Sequence, residues 1–251
     1  MFWKNKNRMG DIIIPVLGAT GAGKSTFINI LIGKDCMKVG SSLSSCTGKP
    51  KATRIKSFSD NPLLKGRSLV IVDTPGFDDT VKSDIQTLQS IADYLKKTSL
   101  KKGVIGGVIY LHDVTSDRMP PVSEHHLEML QDICGPHAFK NIVLGTTKWN
   151  QIAGNVGSVH EKQLEAVHWE PFRRQGSQMH RFEDNQASAW KFIETLLPTM
   201  PLHGITLEVQ KVIDQEKANH ETVAGRQCFQ GETPAVHDKS LIRRFRQMFC
   251  I

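Results

Sequence analysis

The sequence predicts a three-layer α/β domain, a mostly parallel sheet covered by helices on both faces, followed by a C-terminal helical appendage. Three observations carry this. The apolar run Ile12 to Leu17 ends in the Gly-rich turn GATGAGKST, which opens the short apolar helix KSTFINILIG. A second apolar run, Ser68 to Val72, goes straight into DTPG. Beyond them, short apolar runs alternate with stretches of helical spacing.

In order along the chain, the first strand is Ile12 to Leu17. Its helix carries Phe27, Ile28, Ile30, Leu31 and Ile32 until Gly33 closes it. A second strand lies around Ala52 to Phe58, a third at Ser68 to Val72, a fourth at Val104 to Leu111 and a fifth at Asn141 to Gly145. Between them SDIQTLQSIADYLKK and VSEHHLEMLQDIC have helical spacing, the latter with Leu127, Leu130 and Ile133 on one face. A helix over Gln163 to Phe172, a short strand Gln178 to Phe182 and a helix Gln186 to Leu197 follow, and Pro198 and Pro201 end the run. Residues 205 to 225 read as helical, and the remaining tail is polar and then basic. The expected organisation is an N-terminal tail (1–10), one body (11–200) and a helical, basic extension (201–251).

Of the 251 residues, 39% are hydrophobic and 23% charged, which excludes a disordered chain for the body. The net charge of +7 lies partly in the clusters KNKNR, KKTSLKK and RRFR, read as solvated charge. Without aromatic interleaving or a known module, no specific nucleic-acid binding is expected. The C-terminal LIRRFRQMFCI mixes basic and apolar residues, so a weak contact with a membrane surface or a partner helix is an expectation for it. Five dispersed cysteines, no CxxC pair and no secretory apolar region point to reduced thiols and a cytoplasmic protein.

The chemistry concentrates in two stretches. GATGAGKST fits G-x-x-x-x-G-K-[ST], so Gly18, Thr20, Gly21, Ala22, Gly23, Lys24, Ser25 and Thr26 are candidate phosphate-binding residues. Glycines let backbone N–H groups turn inward around a phosphate, Lys24 brings a compact positive charge, and the Ser25 hydroxyl suits Mg2+. In SLVIVDTPGFDD a strand delivers Asp73 to the sheet edge, where its carboxylate suits Mg2+, and Gly76 can turn its N–H to a γ-phosphate. Many ATPases place a second acid after this aspartate. Here Thr74 stands there, which weakens an ATP-using reading.

Together these residues resemble the G1 and G3 motifs of the translation-factor-related P-loop GTPases, and among them the septin-like group that includes AIG1-type, immunity-associated-like G domains. The resemblance covers roughly residues 11 to 200. It implies a G domain that binds GTP or GDP with Mg2+, hydrolyses GTP slowly, and forms a nucleotide-dependent homodimer through that domain. It also implies a threonine in the loop VGSSLSSCTGKPKA that reaches Mg2+ and the γ-phosphate. Thr47 is the choice, with Ser45 and Thr53 as rivals. Lys24, Thr47 and Gly76 are then the catalytic candidates, and Ser25, Thr47 and Asp73 the metal ligands. Phe77 stands where Ras-like proteins carry a water-orienting glutamine, so slow turnover is expected. Asp78 and Asp79 are read as solvated charges rather than as substitutes for that glutamine. A nucleotide-binding scaffold with negligible turnover is the alternative.

The guanine reader of such domains is [NT]-K-x-D after the fifth strand, and GTTKWN offers two registers. In one, Thr146 leads and Trp149 replaces the acid. In the other, preferred here, Thr147, Lys148 and Asn150 read T-K-x-N. An asparagine presents one acceptor oxygen and a donor NH2, so facing guanine it costs ~1–3 kcal/mol against an aspartate. A further base contact falls on SAW at Ser188 to Trp190 or on Asn185.

Overall fold

The computed structural model describes residues 10–39, 49–55, 62–64, 66–77, 84–100, 103–116, 121–201, 203–208 and 211. The strands are β1 (Ile12–Gly18), β2 (Lys51–Ile55), β3 (Leu69–Asp73), β4 (Val104–Ile105), β5 (Val108–Asp113), β6 (Ile142–Thr147) and β7 (Gln178–Arg181). The helices are α1 (Lys24–Ile32), α2 (Asp84–Leu100), α3 (Pro121–Cys134), α4 (Val156–Gln163), α5 (Glu170–Arg174) and α6 (Gln186–Leu196). They form one sheet in the order β2-β3-β1-β5-β6-β7, with β4 also pairing with β1. Every pairing is parallel except that of the edge strand β2 with β3.

The central strands are apolar throughout because both faces of the sheet are covered. Successive side chains alternate between two cores. Ile13, Leu17, Val70, Val72, Tyr110 and Leu144 pack with Ile91 and Leu95 of α2, Leu130 of α3, and Trp169. Ile12, Ile14, Val16, Ile71, Ile109 and Val143 pack with Phe27 and Leu31 of α1 and Phe192 and Ile193 of α6. In the second core Phe27 meets Phe182 and Phe192 edge-on, each at a centroid distance of 5.1 Å.

Three elements differ from the sequence reading. The strand expected over Val104 to Leu111 is two, β4 and β5, because the chain steps aside at Gly106 and Gly107. A Cβ at Gly106 would lie 2.3 Å from the Met200 sulfur, and one at Gly107 2.6 Å from a Leu196 methyl. The helix expected over Gln163 to Phe172 instead starts at Val156, passes through a π-turn (Leu164–His168), and restarts as α5 with Pro171 in its first turn. The exposed valines Val156 and Val159 hide that start from any periodicity argument. Its π-turn closes with Trp169 N–H donating to Leu164 O at 2.7 Å, and the Trp169 indole enters the core fully buried. Finally, the helix expected from residue 205 starts later: Glu208 and Lys211 are helical, Ile205 is not, and residues 212–225 lie outside the described residues. Ile205 pairs antiparallel with Ile105, its N–H donating to Ile105 O at 2.7 Å, and Leu207 is buried in the first core.

The chain therefore stays on the body past Pro201. The end of the second predicted strand, the N-terminal tail, and the basic tail expected to touch a membrane surface or a partner helix lie outside the described residues.

The aromatic trio ties α1, which carries the Gly-rich turn, to α6 and to the segment after β7. Phe27→Ala is expected to cost about 3–5 kcal/mol of unfolding free energy, read from the urea midpoint. A loss under about 1 kcal/mol would show that the trio is not what holds α1 in place.

Candidate functional site

The Gly-rich turn joins the end of β1 to α1. Gly23, at φ 84°, is the N-cap of α1 and brings no side-chain cap, so the first N–H groups of the helix face the turn. Lys24 is 7% exposed, and its Nζ donates to Gly18 O at 3.0 Å and to Ala19 O at 2.7 Å, lying back across the turn. Gly21 is exposed at the tip, Ala22 is buried beneath it, and Thr26 is half-buried in the first turn of α1.

Ser25 Oγ donates to Asp73 Oδ2 at 2.8 Å, a contact between residues 48 apart in sequence. It forms because β1 and β3 run parallel with Val16 opposite Asp73. A hydroxyl and a buried carboxylate so close make an all-oxygen donor pair, which fits Mg2+. The loop residue Thr47, its rival Ser45, and Asp78 and Asp79 lie outside the described residues. The other rival, Thr53, sits on β2, where its hydroxyl meets the Cys36 sulfur at 3.7 Å. The approach to that loop is pinned by Asn29 of α1, whose Nδ2 donates to Met37 O at 2.9 Å and whose Oδ1 accepts from Met37 N–H at 2.8 Å.

DTPG closes onto the same turn. Thr74 donates its hydroxyl to Val16 O at 2.6 Å, a purely structural use of the residue that replaces the second acid. Thr20 N–H donates to Phe77 O at 2.8 Å and Phe77 N–H to Gly18 O at 3.3 Å. Gly76 lies so close to Thr20 that a Cβ there would stand 2.4 Å from its Oγ1, which is why glycine occupies the position. The Phe77 ring is fully buried in the first core, 5.3 Å from the His126 ring centroid. Phe77 is thus a packing residue that anchors the start of this segment.

On the far side of the turn, alternation along β6 separates the two threonines of GTTKWN. Thr147 faces α1, and its hydroxyl lies 3.0 Å from Ala22 O and 3.2 Å from His112 O. Thr146 faces the other way and donates to Glu161 Oε1 at 3.0 Å. Trp149 follows Thr146, its Nε1 donating to Thr146 Oγ1 at 3.1 Å and the Arg181 guanidinium stacking 4.1 Å over its ring. Thr147 is therefore the threonine that meets the Gly-rich turn.

Lys148 turns the chain at φ 62° and pairs with Asp113 at the end of β5, while Asn150 is exposed in the short 3-10 turn after it. No sequence motif marks Asp113. Its only signal is an acid ending an apolar strand, VIYLHD, as Asp73 ends LVIVD. Burial pushes the Asp113 carboxyl up, but hydrogen bonds from Lys148 and Thr115 and the lysine charge outweigh it and hold the group below its ordinary range. Asn185 caps α6, accepting from Ser188 N–H at 2.8 Å and donating to Glu183 O at 3.1 Å. Ser188 to Trp190 lie inside α6, where Ser188 accepts from Glu183 N–H at 3.0 Å and donates to Asn185 O at 2.9 Å, so SAW is helix packing.

With that geometry in place, the model of the family described as 50S ribosome-binding GTPase matches residues 13–147. A neuronal-specific septin-3 from Danio rerio is 38% identical over 77 residues, 30% of this chain and 21% of that protein. A GTPase Der from Rhodopseudomonas palustris (strain HaA2) is 25% identical over 162 residues, 64% of this chain and 31% of that protein. The chain thus spans about a fifth to a third of the length of these curated relatives. Among solved structures, Toc33 from Arabidopsis thaliana in complex with GDP and Mg2+ superposes with a TM-score of 0.58 at 16% identity, covering 82% of this chain and 90% of that one. For Toc33, dimerization is described as important for the GTPase activity.

His112, whose carbonyl faces the Thr147 hydroxyl, is itself buried against Trp169. Burial is the main cause that lowers its pKa to about 4. Asp113 opposes the shift, and His126, His168 and His160 add to it. The unfolded chain binds this proton near pH 6.5, the folded chain only near pH 4. Stability from this group is therefore full above about pH 6.5 and falls on the order of 3 kcal/mol as pH drops to about 4. Urea unfolding at a series of pH values is expected to show this slope, and His112→Asn to remove most of it. An unchanged slope in that variant assigns the effect to other groups.

Proposed function

Because the chain belongs to the 50S ribosome-binding GTPase family and carries a GTP-binding G domain, we propose that it is a septin-like, AIG1-type switch that binds GTP or GDP with Mg2+ and hydrolyses GTP slowly. The observation that supports this best is the meeting of Lys24, Ser25 and Asp73 at one edge of the sheet, with Thr147 tied to the same turn. In this reading the turn and Lys24 grip the phosphates, Ser25 and Asp73 hold Mg2+, which neutralises phosphate charge, and Lys148 and Asn150 stand at the base.

Slow turnover is supported by Phe77. Its ring is locked in the core, so no side chain at that position reaches a water beside the γ-phosphate. A homodimer that completes the site is supported by what is described for Toc33. The free thiols of Cys36 and Cys134 accord with a cytoplasmic setting. Phe77 equally favours a second reading, a nucleotide-binding scaffold with negligible turnover.

Phosphate release measured against protein concentration separates the two. Specific activity that rises with concentration is expected for the dimerising switch, and none at any concentration identifies the scaffold.

Base preference is tested by competing GTP, XTP and ATP for the Mg2+-loaded protein. GTP is expected to lead by a modest margin, and Asn150→Asp to tighten it about tenfold or more by restoring a two-acceptor edge. If that variant leaves GTP affinity unchanged, Asn150 does not face the base.

A further inference from the structure

The base end of the site contains a carboxylate with no assigned role. Asp113 ends β5 directly opposite Thr147 of β6, and strand alternation puts it on the same face as Ile109 and Leu111, the face covered by α1. One carboxylate oxygen, Oδ2, accepts from Lys148 Nζ. The other, Oδ1, accepts from Thr115 N–H at 2.9 Å and from the Thr115 hydroxyl at 2.6 Å. Both oxygens are thus committed to the protein, so Asp113 is placed to hold Lys148 rather than to read a ligand. The pair is sheltered, with the two side chains 27% and 22% exposed.

Lys148 needs holding. Its backbone sits at φ 62° and ψ 34°, a left-handed conformation that a long L side chain disfavours. The turn is closed by Gln151 N–H donating to Lys148 O at 3.0 Å. A lysine stem on such a turn samples many rotamers unless its ammonium is anchored. Asp113 anchors it next to Thr147, itself bonded to Ala22 of the phosphate-side turn. Asn150 brings no ionised edge for a guanine, so the grip on the base falls on the surface of that stem.

Resting on the nucleotide-binding reading above, we infer that Asp113 is a positioning residue for the base: by pairing with Lys148 it fixes the lysine stem as the platform on which the purine lies. The role is confined to the nucleoside end, because among the described residues the hydrogen bonds of Asp113 run to Lys148 and Thr115, and it acts through Lys148.

Isothermal titration of the full chain with Mg2+ and either GDP or tripolyphosphate, which has phosphates but no base, tests this. Asp113→Asn is expected to weaken GDP about tenfold and to leave tripolyphosphate within about twofold. Lys148→Met, which keeps the stem but not the ammonium, is expected to show the same pattern. Adding Asp113→Asn to Lys148→Met is then expected to change GDP affinity by less than about twofold, since the carboxylate no longer has a charge to hold. Equal weakening of both probes marks a general structural role and overturns the inference. So does unchanged GDP affinity in Asp113→Asn, or a full loss that persists when Lys148→Met is already present. If the wild-type chain binds tripolyphosphate and GDP equally, no base platform exists. If it binds neither, the nucleotide reading itself fails and this role with it.

Discussion

The parallel pairing of β1 with β3 on one side and β5 on the other is the constraint on which the rest depends. Val16 stands opposite Asp73 and Gly18 opposite Leu111, so the strands release their following loops at one edge of the sheet. With β3 on one side of β1 and β5 on the other, the chain crosses the sheet in both directions from β1, the kind of strand end at which ligands of doubly wound sheets sit. Three contacts of the candidate site cross this edge: Ser25 to Asp73, Thr20 to Phe77, Thr147 to Ala22. A slip of one residue in the β1–β3 pairing would turn Asp73 toward α2, and one in the β5–β6 pairing would turn Thr147 toward α4.

The two cores under the sheet have different duties. The core between α1 and α6 is aromatic and aliphatic, and it sets the position of the Gly-rich turn rigidly. On the side of α2 and α3, Phe77 lies against His126, and His112 meets Trp169 edge-on. This core joins the start of the DTPG segment to the His126 ring, and burial lowers the pKa of the nearby His112. The residue that sequence comparison marks as a missing catalytic group is therefore also a structural anchor. A polar side chain at position 77 would have to leave that core to serve a water, and the contacts with His126 would be lost with it.

Much of this was legible in the amino-acid order. The Gly-rich turn, Asp73 with Gly76, and the strand and helix alternation are local signals, written within a few residues of one another. What sequence patterns misread is instructive. The break between β4 and β5 is imposed by Met200 and Leu196, almost a hundred residues downstream. The early start of α4 is invisible because Val156 and Val159 are exposed, which removes the amphipathic period. SAW has the residues of a base-contact motif, but Asn185 and Ser188 cap a helix with them.

By itself, then, the sequence determined the class of fold and the local form of the Gly-rich turn and of the strand that ends in Asp73, because glycine conformation, a helix N-terminus and an apolar strand ending in an acid are properties of contiguous residues. Only the tertiary structure decided which threonine meets the turn, that Phe77 is buried, and that Lys148 belongs to Asp113. Those outcomes depend on the register of strands 35 residues apart. Strands apolar on both faces carry no alternation from which that register can be read.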